Sequence, residues 1–193
     1  MKNAFVIVLV FLSVVLVAGY ANAAIIAPED ILVTGYGEYY NTERNISDGF
    51  IPEQGAWWTS AECTWWTGPS PYFVLDLGNL YTLEKIATSV DNNDDYYIDF
   101  SADGNNWSAL HTIYSWQWDD YDIWMGMDTF TDIPVNASAR YLKIYANGGD
   151  GAYSIGELNA YTRSSSTVPE PATVALFGIG GLLMTLIKRN RER

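Results

Sequence analysis

The 193-residue chain carries 23 acidic and 10 basic side chains, with a single His and a single Cys. A chain of this length forms about one domain of roughly 100–200 residues, and so strong an acidic excess argues against a nucleic-acid-binding protein. One His and one Cys exclude a multi-histidine metal centre and an internal disulfide, and they restrict any Ser/His/Asp triad to the surroundings of His111.

The N-terminal segment has the composition of a signal peptide. Lys2 precedes an apolar run from Ala4 to Ala18, and Ala21-Asn22-Ala23 then supplies the small residues that signal peptidase accepts. We therefore predict a signal peptide helix over residues 1–23, removed after Ala23. The alternative is a permanent membrane anchor, which the shortness of the apolar run disfavours.

Residues 24–163 predict an all-β domain. From Ile31 onward, short alternating runs are interrupted by Gly, Pro, Asn and Asp, and no stretch keeps a helical period. Tyr96–Ser101 alternates in this way, and the following Asp103–Asn106 predicts a hairpin turn. Arg140–Ala146 alternates too, so we expect each sheet to have one buried and one solvent-exposed face. Several such strands at short spacing indicate a sandwich or a barrel.

Most tryptophans fall in predicted loops, where an aromatic ring can stack on the apolar face of a sugar. Arg44 and His111 are candidate hydrogen-bond donors to sugar hydroxyls. Tryptophan also closes the ends of small sandwich cores, so packing is the alternative for each ring. The candidate ligand-binding residues are Trp65, Trp66, Trp116, Trp118, Arg44 and His111.

The acidic run Asp91–Asp95 has the alternating oxygen spacing of a calcium loop. Tyr96, however, stands where an EF-hand requires Gly. We interpret the run as an acidic turn between two strands, because Asp and Asn favour turns.

The C-terminal segment has three parts. Residues 164–171 form a Ser-rich linker ending in Val168-Pro169-Glu170-Pro171, residues 172–187 are apolar, and residues 188–193 are basic. Sixteen helical residues span about 24 Å, slightly less than a hydrocarbon core of about 30 Å. The basic end predicts a cytoplasmic tail.

This three-part tail resembles the PEP-CTERM sorting signal of Gram-negative bacteria. The resemblance implies that an exosortase recognises the Pro-Glu-Pro element. It also implies a single transmembrane helix over 172–187, an inner-membrane intermediate, and delivery of domain 24–163 to the cell surface or the exterior. An ordinary tail anchor is the alternative.

Five ordered landmarks in residues 30–162 resemble discoidin domains, also called coagulation-factor type C domains. They are Asn45–Gly49, Pro71–Gly78, Tyr97–Trp107, Arg140–Ile144 and Ser154–Leu158. The resemblance implies a galactose-binding-like β-sandwich of jelly-roll topology.

The same resemblance implies a structural Ca²⁺ site, because many carbohydrate-binding relatives hold this ion with oxygen ligands beneath their binding loops. Residues 52–55 lengthen the loop, and Ala56 stands in place of a Thr ligand. The alternative role for the two carboxylates is to cap backbone N–H groups. The implied ligands are the side chains of Asp48 and Glu157 and the carbonyl oxygens of Ile46 and Phe50.

Together these patterns predict an exported, non-catalytic surface or matrix protein whose sandwich binds carbohydrate, including the cell's own exopolysaccharide. One alternative is a structural or adhesive protein without a small-ligand site, and another is a polysaccharide hydrolase using an acidic pair. Glycan binding separates the first two hypotheses, and turnover of a polysaccharide identifies the third.

Overall fold

The alternating residues form eight strands and two short 3₁₀ helices in a computed structural model that describes residues 23–91, 93–115 and 126–163. The 3₁₀ helices are Pro28–Asp30 and Glu43–Ser47. The strands are β1 (Ala24–Ile25), β2 (Leu32–Tyr36), β3 (Thr64–Thr67), β4 (Tyr72–Asp91), β5 (Asp95–Ser101), β6 (Ser108–Ile113), β7 (Met127–Asn147) and β8 (Ala152–Thr162). The all-β prediction is confirmed.

Two long strands, β4 and β7, bend and contribute to two antiparallel sheets. Their first and second halves pair with different neighbours, and the register between them shifts after Asp76. Gly78, at a φ of +79°, lies at this corner, and its N–H donates to the Asp76 carboxylate (2.9 Å). A positive φ favours Gly, which has no Cβ to clash with the backbone.

Sheet I contains, in order, β2, residues 72–76 of β4, residues 141–147 of β7, β5 and β6. In sheet II, β8 has neighbours on both sides. On one side it pairs with β1 and β3, which form an edge. On the other side it pairs with residues 83–91 of β4, and residues 127–139 of β7 lie beyond β4. All pairings are antiparallel. Residues Ala23–Arg163 form one compact unit.

The core lies between the two sheets and is built from alternate residues of each strand. Phe73 of sheet I packs on Trp66 of sheet II with ring centroids 5.2 Å apart, and Trp66 also contacts Tyr153 at 5.6 Å. All three side chains are buried. Because successive residues of a strand point to opposite faces, the remaining residues form the outer faces.

Segment 41–63 packs against sheet II. In its 3₁₀ helix Asn45, Ile46 and Ser47 are buried. Further along, the Gly55 N–H donates to the carbonyl of Met127 at the start of β7 (2.8 Å). The loop lengthened by residues 52–55 is therefore held against the sheet by main-chain hydrogen bonds.

The predicted signal peptide, linker, C-terminal helix and basic tail lie outside the described residues, except for Ala23. Within the described residues, no helix is long and apolar enough to cross a membrane.

Candidate functional site

A groove of about 590 Å³ lies on the outer face of sheet I. Its floor and walls come from three neighbouring strands, from the loop before β4 and from the β5–β6 hairpin. Eleven residues line it, and aromatic side chains dominate: Tyr36, Pro69, Ser70, Pro71, Tyr72, Val74, Gly104, Trp107, Tyr141, Lys143 and Tyr145.

Strand register aligns four tyrosines in a row across this face. Tyr36 pairs with Tyr72, Tyr72 with Tyr145, and Tyr145 with Tyr97. The Tyr36 and Tyr72 rings stack at 4.6 Å and 9°, and the Tyr97 and Tyr145 rings stack at 5.3 Å and 16°. At about 4.8 Å per strand, the row extends across roughly 14 Å of the sheet.

Lys143 lies in the middle of the groove and is held on three sides. Its Nζ is 2.9 Å from the Asp99 carboxylate, 4.8 Å from the centre of the Trp107 ring and 5.4 Å from that of Tyr145. Cation–π attraction and the ion pair both favour this position. The side chains of Lys143 and Asp99 are only 22% and 15% exposed, so the pair is largely shielded from water.

The hairpin turn predicted at Asp103–Asn106 positions Trp107. Asp103 Oδ1 accepts from the N–H groups of Asn105 (2.9 Å) and Asn106 (2.8 Å), which closes the turn. These hydrogen bonds hold the pKa of Asp103 well below its usual value, because they stabilise the ionised form. The closed turn directs the half-buried Trp107 over Lys143.

The two adjacent candidates on β3 have opposite environments. Trp65 is half-buried, stacks on Tyr40 at 4.0 Å, and meets Trp58 edge-on at 5.3 Å. Trp66 is fully buried in the core. The prediction that Trp66 stacks on a ligand is wrong, because strand alternation directs its ring inward when Trp65 faces outward.

Arg44 and His111 are the other candidates that the structure describes. Arg44 donates from both terminal nitrogens to the carbonyl oxygens of Ile31 (2.9 Å) and Pro28 (2.8 Å), so it ties two loops together. His111 lies on β6 at the edge of sheet I, whereas Trp65 lies at the edge of sheet II, and burial lowers the pKa of His111. Trp116 and Trp118 lie outside the described residues.

Sequence reasoning missed the groove although part of its signal was visible. The alternation of Arg140–Ala146 places Tyr141, Lys143 and Tyr145 on one wet face. The structure places Trp107, the last residue of the discoidin-like landmark Tyr97–Trp107, at the groove. Tyr36 and Tyr72 lie on the same face only because strands that are distant in sequence pair with one another.

The predicted calcium ligands Asp48 and Glu157 lie together between segment 41–63 and β8. Glu157 Oε2 accepts from the Gly49 N–H (3.1 Å), and Asp48 Oδ1 accepts from the Phe50 N–H (2.8 Å). Glu157 is fully buried, and its Oε1 has no hydrogen-bond partner among the described residues. Burial, and then the nearby Asp48 charge, raise the pKa of Glu157 to about 8.

Each of the two carboxylates accepts from one backbone N–H, which is the capping role given as the alternative, and Glu157 Oε1 is left without a hydrogen-bond partner among the described residues. A cation at this position would be held by these two side chains. No group of three or more His, Cys, Asp or Glu side chains in the described part of the chain is arranged to hold a metal. Main-chain carbonyls, such as those of Ile46 and Phe50, would therefore have to complete the ligand set.

The acidic turn between β4 and β5 is more buried than its sequence indicates. The run connects β4 to β5, as interpreted from the sequence, but the side chains of Asp91 and Asp94 are only 2% and 0% exposed. The buried Tyr96 hydroxyl donates to the Asp91 carboxylate and accepts from the Ser154 N–H (2.9 Å). The loop containing Gly149 closes directly over Asp94.

Comparison with known proteins supports the predicted sorting signal and the predicted sandwich fold. Residues 167–191 match the PEP-CTERM protein-sorting motif, so the chain carries this sorting signal. A comparison with curated proteins finds no match.

Two solved structures from Clostridium perfringens are similar to the sandwich. One is CpGH89CBM32-5, solved with GalNAc-β-1,3-galactose, with a TM-score of 0.50 and 19% identity over 72% of this chain and 100% of that one. The other is the family 32 carbohydrate-binding module of NanJ, solved with galactose, with a TM-score of 0.52 and 18% identity over 72% and 99% of the two chains. The predicted discoidin-like sandwich fold is confirmed.

Proposed function

We propose that this protein is an exported, non-catalytic surface or matrix protein whose sandwich binds carbohydrate in the groove of sheet I. The observation that carries the proposal is the groove itself, an open concavity lined by five aromatic side chains and one ion-paired lysine. The sorting motif supports export, and the sugars named with the two similar structures support the ligand class.

The chemistry of the lining residues suits a sugar ring. Aromatic faces pack on the apolar C–H face of a pyranose, and Lys143 with Asp99 offers donors and an acceptor to its hydroxyls. No carboxylate is among the described residues that line the groove, and Asp99, which contacts Lys143 beside it, is a single carboxylate engaged in an ion pair, whereas glycoside hydrolysis generally requires two. This composition favours binding over hydrolysis.

Glycan binding by the full chain tests the proposal. We expect a glycan array to identify a ligand, and Trp107→Ala to weaken its binding at least about tenfold, equivalent to ~1.4 kcal/mol. Trp65→Ala makes the same change at another candidate ring, on β3 at the edge of sheet II, and should leave affinity unchanged if the groove is the site. Loss of binding in Trp65→Ala but not in Trp107→Ala would place the site at the edge of sheet II instead.

A structural or adhesive role is the second candidate, supported by a separate apolar surface. Tyr40 and Trp57 are 55% and 57% exposed, and they pair with Trp65 of β3 and with Gly126, the residue before β7. Such rings favour contact with another protein. Concentration-dependent self-association that is lost in Tyr40→Ser, with no binding to any glycan, would support this candidate.

We also propose that Asp48 and Glu157 hold a structural Ca²⁺. The unpartnered Glu157 Oε1 supports this, because a buried carboxylate oxygen without a donor is costly unless a cation or proton neutralises it. Calcium at 100 times its dissociation constant should add about 2.7 kcal/mol to stability, a rise of roughly 5–11 °C in melting temperature. Asp48→Asn should abolish the rise, and identical wild-type melting with calcium and with chelator would contradict the site.

Processing at both ends is the remaining part of the proposal. Signal peptidase is expected to cut after Ala23, and an exosortase to recognise Val168, Pro169, Glu170 and Pro171. Mass spectrometry should find neither Met1 nor Arg193 in the surface form. Replacing Pro169–Pro171 with Ala should retain the protein in the inner membrane, and normal delivery of that variant would refute the sorting role.

A further inference from the structure

We infer that the groove of sheet I selects an uncharged polysaccharide and discriminates against carboxylated ones. The inference rests on the proposed function and concerns the ligand class of the same site. It follows from how the charges in and around the groove are already paired.

Among the described residues that line the groove, Lys143 alone is charged, and its charge is already paired. Its Nζ contacts Asp99 at 2.9 Å, and both side chains are mostly buried. A sugar carboxylate that accepted a second N–H of the ammonium group would lie beside the Asp99 carboxylate in a position largely shielded from water. Two negative charges that share one cation repel each other and leave an excess charge with little water to solvate it, which is unfavourable.

Among the described basic residues, Arg140 lies next to the groove residue Tyr141, and it is also paired. It forms two hydrogen bonds of 3.0 Å with the Asp76 carboxylate, through Nε and one terminal nitrogen. At the hairpin end, the low pKa of Asp103 keeps that carboxylate ionised near Trp107. A polyanion therefore meets one paired cation and one fixed negative charge.

The whole domain adds to this discrimination. Between Ala24 and Arg163 there are 21 acidic and five basic residues, a net charge of −16. Such a field repels a polyanion over about one Debye length, which is about 8 Å at physiological ionic strength. An uncharged chain is unaffected by it.

The ion pair nevertheless gives an uncharged sugar what it requires. The ammonium group has three N–H donors, of which one suffices for Asp99, and the Asp99 carboxylate has further acceptor capacity. Val74, paired with Lys143 across the strands, adds an apolar patch to the floor. Hydroxyl recognition in the centre and ring stacking on either side fit a neutral pyranose chain.

The test compares polysaccharides that share a backbone and differ only in charge. Galactan against polygalacturonate, and glucan against C6-oxidised glucan, are titrated with the full chain by calorimetry at low and at physiological salt. We expect the neutral member to bind at least tenfold more tightly at low salt, with the gap narrowing as salt screens the field. Equal or tighter binding of the carboxylated member would overturn the inference while leaving carbohydrate binding intact. If neither member of any pair binds and the glycan array is also blank, both the proposed function and the inference fail.

Asp99→Asn tests the ion pair directly. The variant frees the Lys143 ammonium, so the affinity for the carboxylated member should rise at least fivefold while melting confirms the fold. Asp132→Asn is the matched control, since it makes the same change in net charge at an exposed ion pair with Lys85 on sheet II. An equal gain in both variants, or no gain in Asp99→Asn, would show that the local pair does not set selectivity.

Discussion

The buried carboxylates at the β4–β5 turn make a specific prediction about pH. Asp94 is fully buried, and neither of its carboxylate oxygens has a hydrogen-bond partner of normal geometry among the described residues. Burial, and then the charge of Asp150, raise the pKa of Asp94 from 3.8 to about 7. Burial also raises the pKa of Asp91, whose carboxylate accepts from Tyr96.

The sign of the effect follows from the raised pKa. Between about pH 4 and pH 7 the folded chain holds a proton that the unfolded chain has lost, so stability is full below pH 4 and falls as pH rises through 7. At ~1.4 kcal/mol per pH unit, the interval from 3.8 to about 7 sets an upper limit of about 4 kcal/mol. Solvent relaxation at the turn reduces this, and we expect a loss of about 2 kcal/mol.

Asp94→Asn removes this titrating group together with its interaction with the neighbouring Asp91 carboxyl. Thermal melts of wild type and variant are compared at about pH 4 and about pH 8. Relative to the wild type, the melting temperature of the variant should be roughly 4–8 °C higher at the higher pH than at the lower one. Asp132→Asn, which removes an 81% exposed carboxylate, should show little such change. A constant difference between Asp94→Asn and wild type at both pH values would refute the reasoning.

Two further predictions concern stability. Gly149→Ala should lower stability by more than about 2 kcal/mol, because Gly149 has a φ of +52° and an added Cβ would overlap the Asp94 carboxylate and the Asn93 carbonyl oxygen. Urea unfolding measures this loss of stability. A loss below about 1 kcal/mol would mean that the loop does not close on Asp94. Trp66→Ala should cost about 3–5 kcal/mol by leaving a cavity in the core, whereas Trp65→Ala should cost clearly less, and equal losses would contradict their opposite burial.

The parts of the fold that could be predicted from sequence are those fixed by local chemistry. The turn at Asp103–Asn106 forms because one Asp side chain accepts from residues two and three positions later, and nothing distant is required. The strand Arg140–Ala146 was likewise visible from its alternation. Both belong to short segments whose preferences agree with the final structure.

The groove and the buried turn could not be predicted because they depend on distant pairings. Tyr36 and Tyr145 are 109 positions apart, and only the register through Tyr72 aligns them. Asp94 is buried because the loop after β7 closes on it, although its own neighbours in sequence are polar. A one-residue change in register would have moved either set to the opposite face.

The placement of the chain ends predicts that processing leaves ligand binding intact. Ala24 and Ile25 of β1 pair with Thr162 and Tyr161 of β8, so both ends of the sandwich meet at one edge of sheet II. The groove lies on sheet I, and removal of residues 1–23 and of the segment after Arg163 breaks none of these pairings. We therefore expect surface-released and full-length protein to bind the same glycan with affinities within about twofold, a difference under ~0.5 kcal/mol. A loss of tenfold or more in the released form would mean that residues outside the sandwich contribute to the site.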